Sequence, residues 1–165
     1  MSRLDSFIGR VTAQRDCLNE LARRLKGRAG PILELGLGNG RTYDHLRSLF
    51  PDNPIYVFDR ELAAHPDCIP PAERALVGDF RDTLPAALAR IGARAILAHG
   101  DFGSGDAART AELAAFMGPA LDPLLEPGAY VCSDQPMTVA RWRPVAPPPT
   151  VEPGRYFLWR VGDAP

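Results

Sequence analysis

No stretch of the 165-residue sequence approaches the roughly 20 consecutive apolar residues that a membrane-spanning helix needs, so a protein without membrane spans is expected. The opening Met1-Ser2-Arg3-Leu4-Asp5 lacks the apolar core of a secretory leader, which makes the cytoplasm the expected compartment. Cysteine is scarce and scattered. Cys17, Cys68 and Cys132 form no C-x-x-C pair, and their odd number suits neither a disulfide framework nor a zinc site. Reduced, mostly buried thiols are the expectation. An excess of one charge is lacking too, because 19 basic and 20 acidic residues leave a net charge of -1. That balance removes the nonspecific electrostatic grip on which nucleic-acid binding largely rests, apart from a local basic patch. Repeats, low-complexity tracts and linkers are also missing, and the length suits one domain with a real core.

One stretch stands out from this plain background: Ile32-Leu33-Glu34-Leu35-Gly36-Leu37-Gly38-Asn39-Gly40-Arg41-Thr42-Tyr43. Pro31 bounds an apolar run with the character of a strand buried on both faces of a parallel sheet. The run breaks into three alternating glycines, which permit positive φ and let a ligand approach where a Cβ would collide. An amphipathic helix then begins, with its free N–H groups pointing back at the turn. A nucleotide-like ligand is the natural occupant. Nicotinamide and flavin sites want G-x-G-x-x-G, but here Arg41 holds the third glycine's place and the glycine comes one residue early, as Gly40.

The pattern Glu34-x-Gly36-x-Gly38-x-Gly40 resembles motif I of the class I S-adenosylmethionine-dependent methyltransferases. In element order the resemblance runs from about Ile32 to Val161, and its residue-level match lies in this first motif. It implies S-adenosyl-L-methionine as the cofactor, with Glu34, Gly36, Gly38, Asn39 and Gly40 around its amino acid and ribose ends.

Beyond the turn, Thr42 to Phe50 is predicted helical, and Pro51-Asp52-Asn53-Pro54 stops it. The second strand, Ile55-Tyr56-Val57-Phe58, ends on Asp59. A carboxylate at that tip accepts from ribose hydroxyls, the alternative being a cap for the segment at Glu61. Leu62 to Pro71 reads as loop, and Arg74 to Val77 as the third strand before Gly78-Asp79-Phe80. The resemblance puts Asp79 near the adenine amino group and Phe80 against the ring, beside Gly78. Asp79 could instead shape the turn, and Phe80 could join the core. Asp82 or Thr83 is predicted to cap the next helix, with Pro85 in its first turn and Gly92 at its end.

The fourth strand, Arg94 to His99, leads into Gly100-Asp101-Phe102-Gly103-Ser104-Gly105. In a doubly wound sheet this strand lies beside the first, so its carboxyl end faces cofactor and substrate. His99 and Asp101 are the candidates for a general base, and His99 also for cofactor contact; a lone histidine could equally be structural. Enzymes that methylate exocyclic amines of nucleobases usually carry Asn/Asp-Pro-Pro-aromatic here, and His99-Gly100-Asp101-Phe102 departs from it. Asp101, Asp134 and Gln135 fall where catechol-type O-methyltransferases hold a divalent metal, although Gln135 replaces that family's Asn; no metal is assigned.

Asp106 begins a long helical region, divided or kinked near Gly118-Pro119, and Gly128 to Ser133 is the fifth strand. Met137 to Val145 and Tyr156 to Val161 read as a closing β-hairpin. Before the glycine turn, Leu4, Phe7, Ile8, Val11, Leu18, Leu21, Ala22 and Leu25 recur at helical steps, with a break around Gln14 to Asp16 that leaves one helix or two. Arg10, Arg15, Arg23, Arg24, Lys26 and Arg28 are a solvated face or, alternatively, a wall for an anionic substrate. The expected fold is α/β: a three-layer αβα sandwich around a seven-stranded, mostly parallel, Rossmann-like sheet with one antiparallel strand. Residues 1–165 form a single domain, with a helical extension over 1–30 and the core over 31–165. The resemblance implies methyl transfer to an unidentified acceptor, a small-molecule oxygen or nitrogen nucleophile being preferred. An NAD(P)-dependent oxidoreductase and a non-catalytic nucleotide-binding regulator are the alternatives. The apolar N-terminal helix could pair two copies of the chain.

Overall fold

Strand β1 (Ile32–Leu35) is buried along its whole length, as a central strand must be when helices cover both faces of a sheet. The computed structural model describes residues 2–163, and Met1, Ala164 and Pro165 lie outside the described residues. β1 pairs in parallel with β2 (Ile55–Asp59) on one side and with β4 (Ala95–Gly100) on the other. β3 (Ala75–Val77) extends the β2 side and β5 (Leu125–Ser133) the β4 side, both in parallel. β7 (Phe157–Val161) then inserts antiparallel between β5 and β6 (Trp142–Val145), giving the order β3-β2-β1-β4-β5-β7-β6. This is the expected seven-stranded sheet with one antiparallel strand. Its order reverses between β1 and β4, so a crevice opens beyond their carboxyl ends.

Helices α1 (Arg3–Arg24) and α2 (Arg41–Leu49) bury Cys17, Leu18, Leu21 and Leu46 with Ile32, Val57 and Leu158 on one face. Helices α3 (Phe80–Ile91) and α4 (Ala107–Leu121) cover the other, with Leu84, Met117 and Leu121 against Leu33, Leu35 and Phe58. Side chains alternate along a strand, so Glu34 shares the face of Ile32 and points toward α1 and α2.

One open choice is settled and three expectations change in detail. The N-terminal region is one 22-residue helix, closed at its start by a reciprocal Ser2 and Asp5 capping box. Its break in apolar pattern is Gln14, which is buried because it has a polar partner inside. Helix α3 starts earlier than predicted: Asp79 is its cap, not Asp82 or Thr83, and Pro85 falls in the second turn. Helix α4 runs unbroken through Gly118 and Pro119 to Leu121. β6 is shorter than predicted, and as the outermost strand it tolerates Pro144, which has no N–H to offer a ladder. Among the described residues no helix is long and apolar enough to cross a membrane.

Candidate functional site

The chain leaves β1 through Gly36, Gly38 and Gly40, all at positive φ. Gly40 sits in the left-handed region directly before α2, and a Cβ there would collide with the Cβ of Cys68. At Gly38, by contrast, a Cβ would meet nothing within 4 Å, so the turn is open on that side. Asp59, at the tip of β2, fixes the turn: its Oδ2 accepts from the N–H of Leu37 at 2.7 Å and of Gly38 at 3.2 Å. Its Oδ1 accepts a longer bond from Glu61 N–H at 3.4 Å.

Gly36, Asp59, Gly78, Asp79, Phe80 and Asp101 line one cavity of about 640 Å³, a size typical of small-molecule sites. The carboxyl ends of β1 to β4 therefore bring most of the anticipated residues together. Asp79 accepts from Arg81 N–H at 2.9 Å and from Arg60 Nη2 at 2.8 Å. The Arg81 amide first, and then the Arg60 guanidinium, hold its carboxyl below the usual carboxylate range. Phe80 presents an aromatic wall beside it. A flat face, carboxylate acceptors and an open glycine turn fit a nucleoside-bearing ligand. Asn39, with Val11, Gln14, Leu37 and Thr42, lines an adjoining cavity of about 350 Å³ that shares Gly36, Asp59 and Asp101 with the first.

Asp101 stands on that shared wall. Its Oδ2 accepts from Arg10 Nη1 at 2.7 Å and from Gln14 Nε2, both reaching over from α1. Burial, then the nearby charge of Asp134, push its pKa up, against the pull of Arg10, His99 and Gln14. Arg10 also borders a third cavity of about 350 Å³, lined with Asp134, Gln135, Glu152 and Arg155. Four other basic residues of the N-terminal region pair away from the site: Arg15 with Asp16, Arg23 and Arg24 with Glu20, and Arg28 with Glu126.

Glu34 and His99 lie below these cavities. Both are 0% exposed, and the parallel register of β1 and β4 sets them side by side. His99 Nδ1 meets Glu34 Oε2 at 2.6 Å, and His99 Nε2 meets the Tyr156 hydroxyl at 2.9 Å. The Thr42 hydroxyl donates to the other Glu34 oxygen. Burial works against a charged imidazole, but the Glu34 charge and hydrogen bond, joined by Asp101 and Asp134, outweigh it and raise the His99 pKa. Sequence reasoning named Glu34 and His99 but placed them in the site wall. Arg10 enters the sequence reading only within the basic set that forms a solvated face or a substrate wall, and Gln14, Thr42 and Tyr156 do not enter it as site residues; the break in an apolar stripe signals Gln14, and nothing local signals Tyr156.

Asp101, Asp134 and Gln135, the three residues compared with a catechol-type metal site, are drawn into hydrogen bonds with the protein itself. Asp101 is engaged by Arg10 and Gln14, while Asp134 accepts from Phe102 N–H, Gly103 N–H and Gln135 Nε2. Among the described residues no group of three or more His, Cys, Asp or Glu side chains converges to hold a cation.

A family model described as S-adenosyl-L-methionine methyltransferase matches residues 1–161. Among solved structures, an S-adenosyl-L-methionine methyl transferase from Silicibacter pomeroyi DSS-3 is 42% identical, with a TM-score of 0.91 over 97% of this chain and 99% of that one. TrmN from Thermus thermophilus is 19% identical, with a TM-score of 0.52 over 87% of this chain and 48% of that one. The fibrillarin pre-rRNA processing protein of Methanococcus jannaschii is 16% identical, with a TM-score of 0.52 over 87% of this chain and 74% of that one. These last two share the fold alone. No curated protein matches the chain. The whole-chain match decides between the two cofactors that a glycine turn of this kind serves, in favour of the sulfonium over the dinucleotide. With a glycine turn, a β2-tip carboxylate and a crevice at the order reversal all in place, the chain belongs to the S-adenosyl-L-methionine methyltransferase family and takes S-adenosyl-L-methionine as its cofactor.

Proposed function

We propose that this methyltransferase acts on a hydroxyl or amine of a small, hydrophilic acceptor and that Asp101 is its general base. The observation that carries the reading is the position of Asp101: a partly buried carboxylate, raised in pKa, on the wall shared by two cavities. In this reading Gly36, Gly38, Asn39, Gly40 and Asp59 hold the amino acid and ribose ends of the cofactor. Gly78, Asp79 and Phe80 hold the adenine. S-adenosyl-L-methionine supplies an already electrophilic methyl group when bound, so the protein's work is alignment and exclusion of water.

Asp101 takes the proton of the acceptor hydroxyl or ammonium onto its carboxylate, and Arg10 with Gln14 keep that carboxylate in one orientation. The acceptor occupies the cavity of Arg10, Asp134, Gln135, Glu152 and Arg155, whose charged and amide side chains suit a polar molecule better than a bare aromatic ring. The extension over residues 1–30 belongs to the same domain as the core, because α1 supplies one wall of the site. His99 is assigned to support rather than to proton abstraction, since solvent does not reach it.

The test is a panel of small polyols, amino acids and amines incubated with S-adenosyl-L-methionine, read as release of S-adenosylhomocysteine. Turnover of one class, lost by about a hundredfold or more in Asp101→Asn, is the expected result. Undiminished turnover in that variant removes Asp101 as base. Binding of cofactor without transfer to any acceptor would favour a regulator instead.

A further inference from the structure

The buried polar chain beneath the cavities has both of its ends in them. Thr42, Gln14 and Asp101 line the cavity across the glycine turn, whereas Glu34, His99 and Tyr156 run under its floor. The links are Thr42 to Glu34, Glu34 to His99 and His99 to Tyr156, and Gln14 stands beside both the Tyr156 hydroxyl and Asp101. Five separate parts of the fold contribute: α1, β1, α2, β4 and the segment entering β7.

We infer that His99 is a positioning residue, which ties the glycine turn and the start of α2 at one end to Gln14 and Asp101 at the other, so that cofactor and acceptor sides are set by one network. The Asp101 end rests on the reading of Asp101 as base; the Thr42 end does not.

Three observations carry this. First, the surrounding row is aliphatic: Ile32 and Leu97 occupy the same face, and a parallel sheet core is ordinarily filled that way. An ion pair there is poor as a stabiliser compared with packed apolar side chains, so stability alone does not account for it. Secondly, both imidazole nitrogens have partners, and among the described residues no buried side-chain nitrogen or oxygen lacks one. A network satisfied throughout holds its members in a single arrangement. Thirdly, Thr42 sits in the first turn of α2, whose free N–H groups face the turn, so the Glu34 bond fixes the part of the helix nearest the ligand. Protonated, His99 donates to Glu34 and Tyr156 together; neutral, it can donate from one nitrogen. The groups facing it are Glu34 on β1, Cys132 and Asp134 at the end of β5, Tyr156 before β7 and Asp101 after β4. Neutral Gln14 and Thr42 come from α1 and α2.

The probe is S-adenosylhomocysteine, titrated calorimetrically into the full chain, so no acceptor is needed. Thr42→Val and His99→Gln should each weaken it about tenfold, and the double variant should bind no more weakly than His99→Gln alone, because both cut the same chain. Loss multiplied to about a hundredfold in the double variant would overturn the inference. Wild-type affinity should fall as rising pH removes the His99 proton, and the fall should vanish in His99→Gln, a readout that mere loosening of the core would not move. The same pH dependence in both proteins also overturns it. Should His99→Gln fail to fold, Tyr156→Phe combined with Thr42→Val makes the same comparison. Unchanged turnover in Asp101→Asn would remove the base and leave the affinity comparison standing.

Discussion

Glu34 on β1 and His99 on β4 are register partners whose side chains meet at 2.6 Å, each 0% exposed. Removing one partner of such a pair leaves a charge buried without compensation. Glu34→Ala should therefore lower unfolding free energy by about 3–5 kcal/mol. Replacing both residues by leucine removes the uncompensated charge as well, so Glu34→Leu with His99→Leu should be more stable than either single variant. Urea unfolding of the three proteins checks this. A double variant less stable than both singles would mean that the pair stabilises the fold.

The pair also gives stability a pH dependence of defined sign. The folded pKa of His99 is raised, so the folded state holds the proton more tightly than the unfolded chain. Its contribution is complete below the unfolded value of about 6.5 and is lost as pH rises through the folded value. Unfolding midpoints measured from mildly acid to alkaline pH should decline in the wild type across that window. His99→Gln should lack this component, and a parallel decline in both proteins would assign it to other groups.

Asp59 connects the tip of β2 to the glycine turn through two backbone N–H donors. Bonds to a charged acceptor contribute about 1.5–3 kcal/mol each. Asp59→Ala should thus weaken S-adenosylhomocysteine by roughly tenfold or more, since 1.4 kcal/mol is a factor of ten. Calorimetry gives the answer directly, and wild-type affinity would remove Asp59 from the ribose end.

Two glycines of the turn should respond to different degrees. Gly40→Ala forces a Cβ into Cys68 at φ 87°, so stability should fall by about 1–3 kcal/mol or more. Gly38→Ala shares the strain of a left-handed backbone at φ 50°, but its Cβ meets nothing within 4 Å, so it should cost less stability than Gly40→Ala and act more on binding. Thermal unfolding and S-adenosylhomocysteine titration of the two variants separate the effects. Equal losses in both measurements would contradict the division.

The turn and the β2-tip acid could be read from sequence because both are local: alternating glycines after a buried strand admit few backbone conformations, and a strand's last residue points into the crevice by default. Asp79 was harder. Its place beside the pocket is legible, yet the expected helix start falls three or four residues late, because Asp79, Asp82 and Thr83 are all competent caps and sequence does not rank them. Gln14 shows the converse. It read as a fault in an apolar stripe, and it is the residue by which α1 reaches Asp101.

Hydrophobic periodicity wrote out the α/β order, and the consecutive residues of the glycine turn pointed to the cofactor class and, through the family they resemble, to the antiparallel closing strand; the whole-chain match then settled that class. Only the tertiary structure decided the roles of Glu34 and His99. They are 65 positions apart, and whether each faces solvent or core depends on strand register and on the alternation of side chains across the sheet. A shift of one residue in either strand would have turned that side chain toward α3 and α4. The same applies to Tyr156 and Gln14, brought beneath the site from opposite ends of the chain by packing that no local pattern encodes.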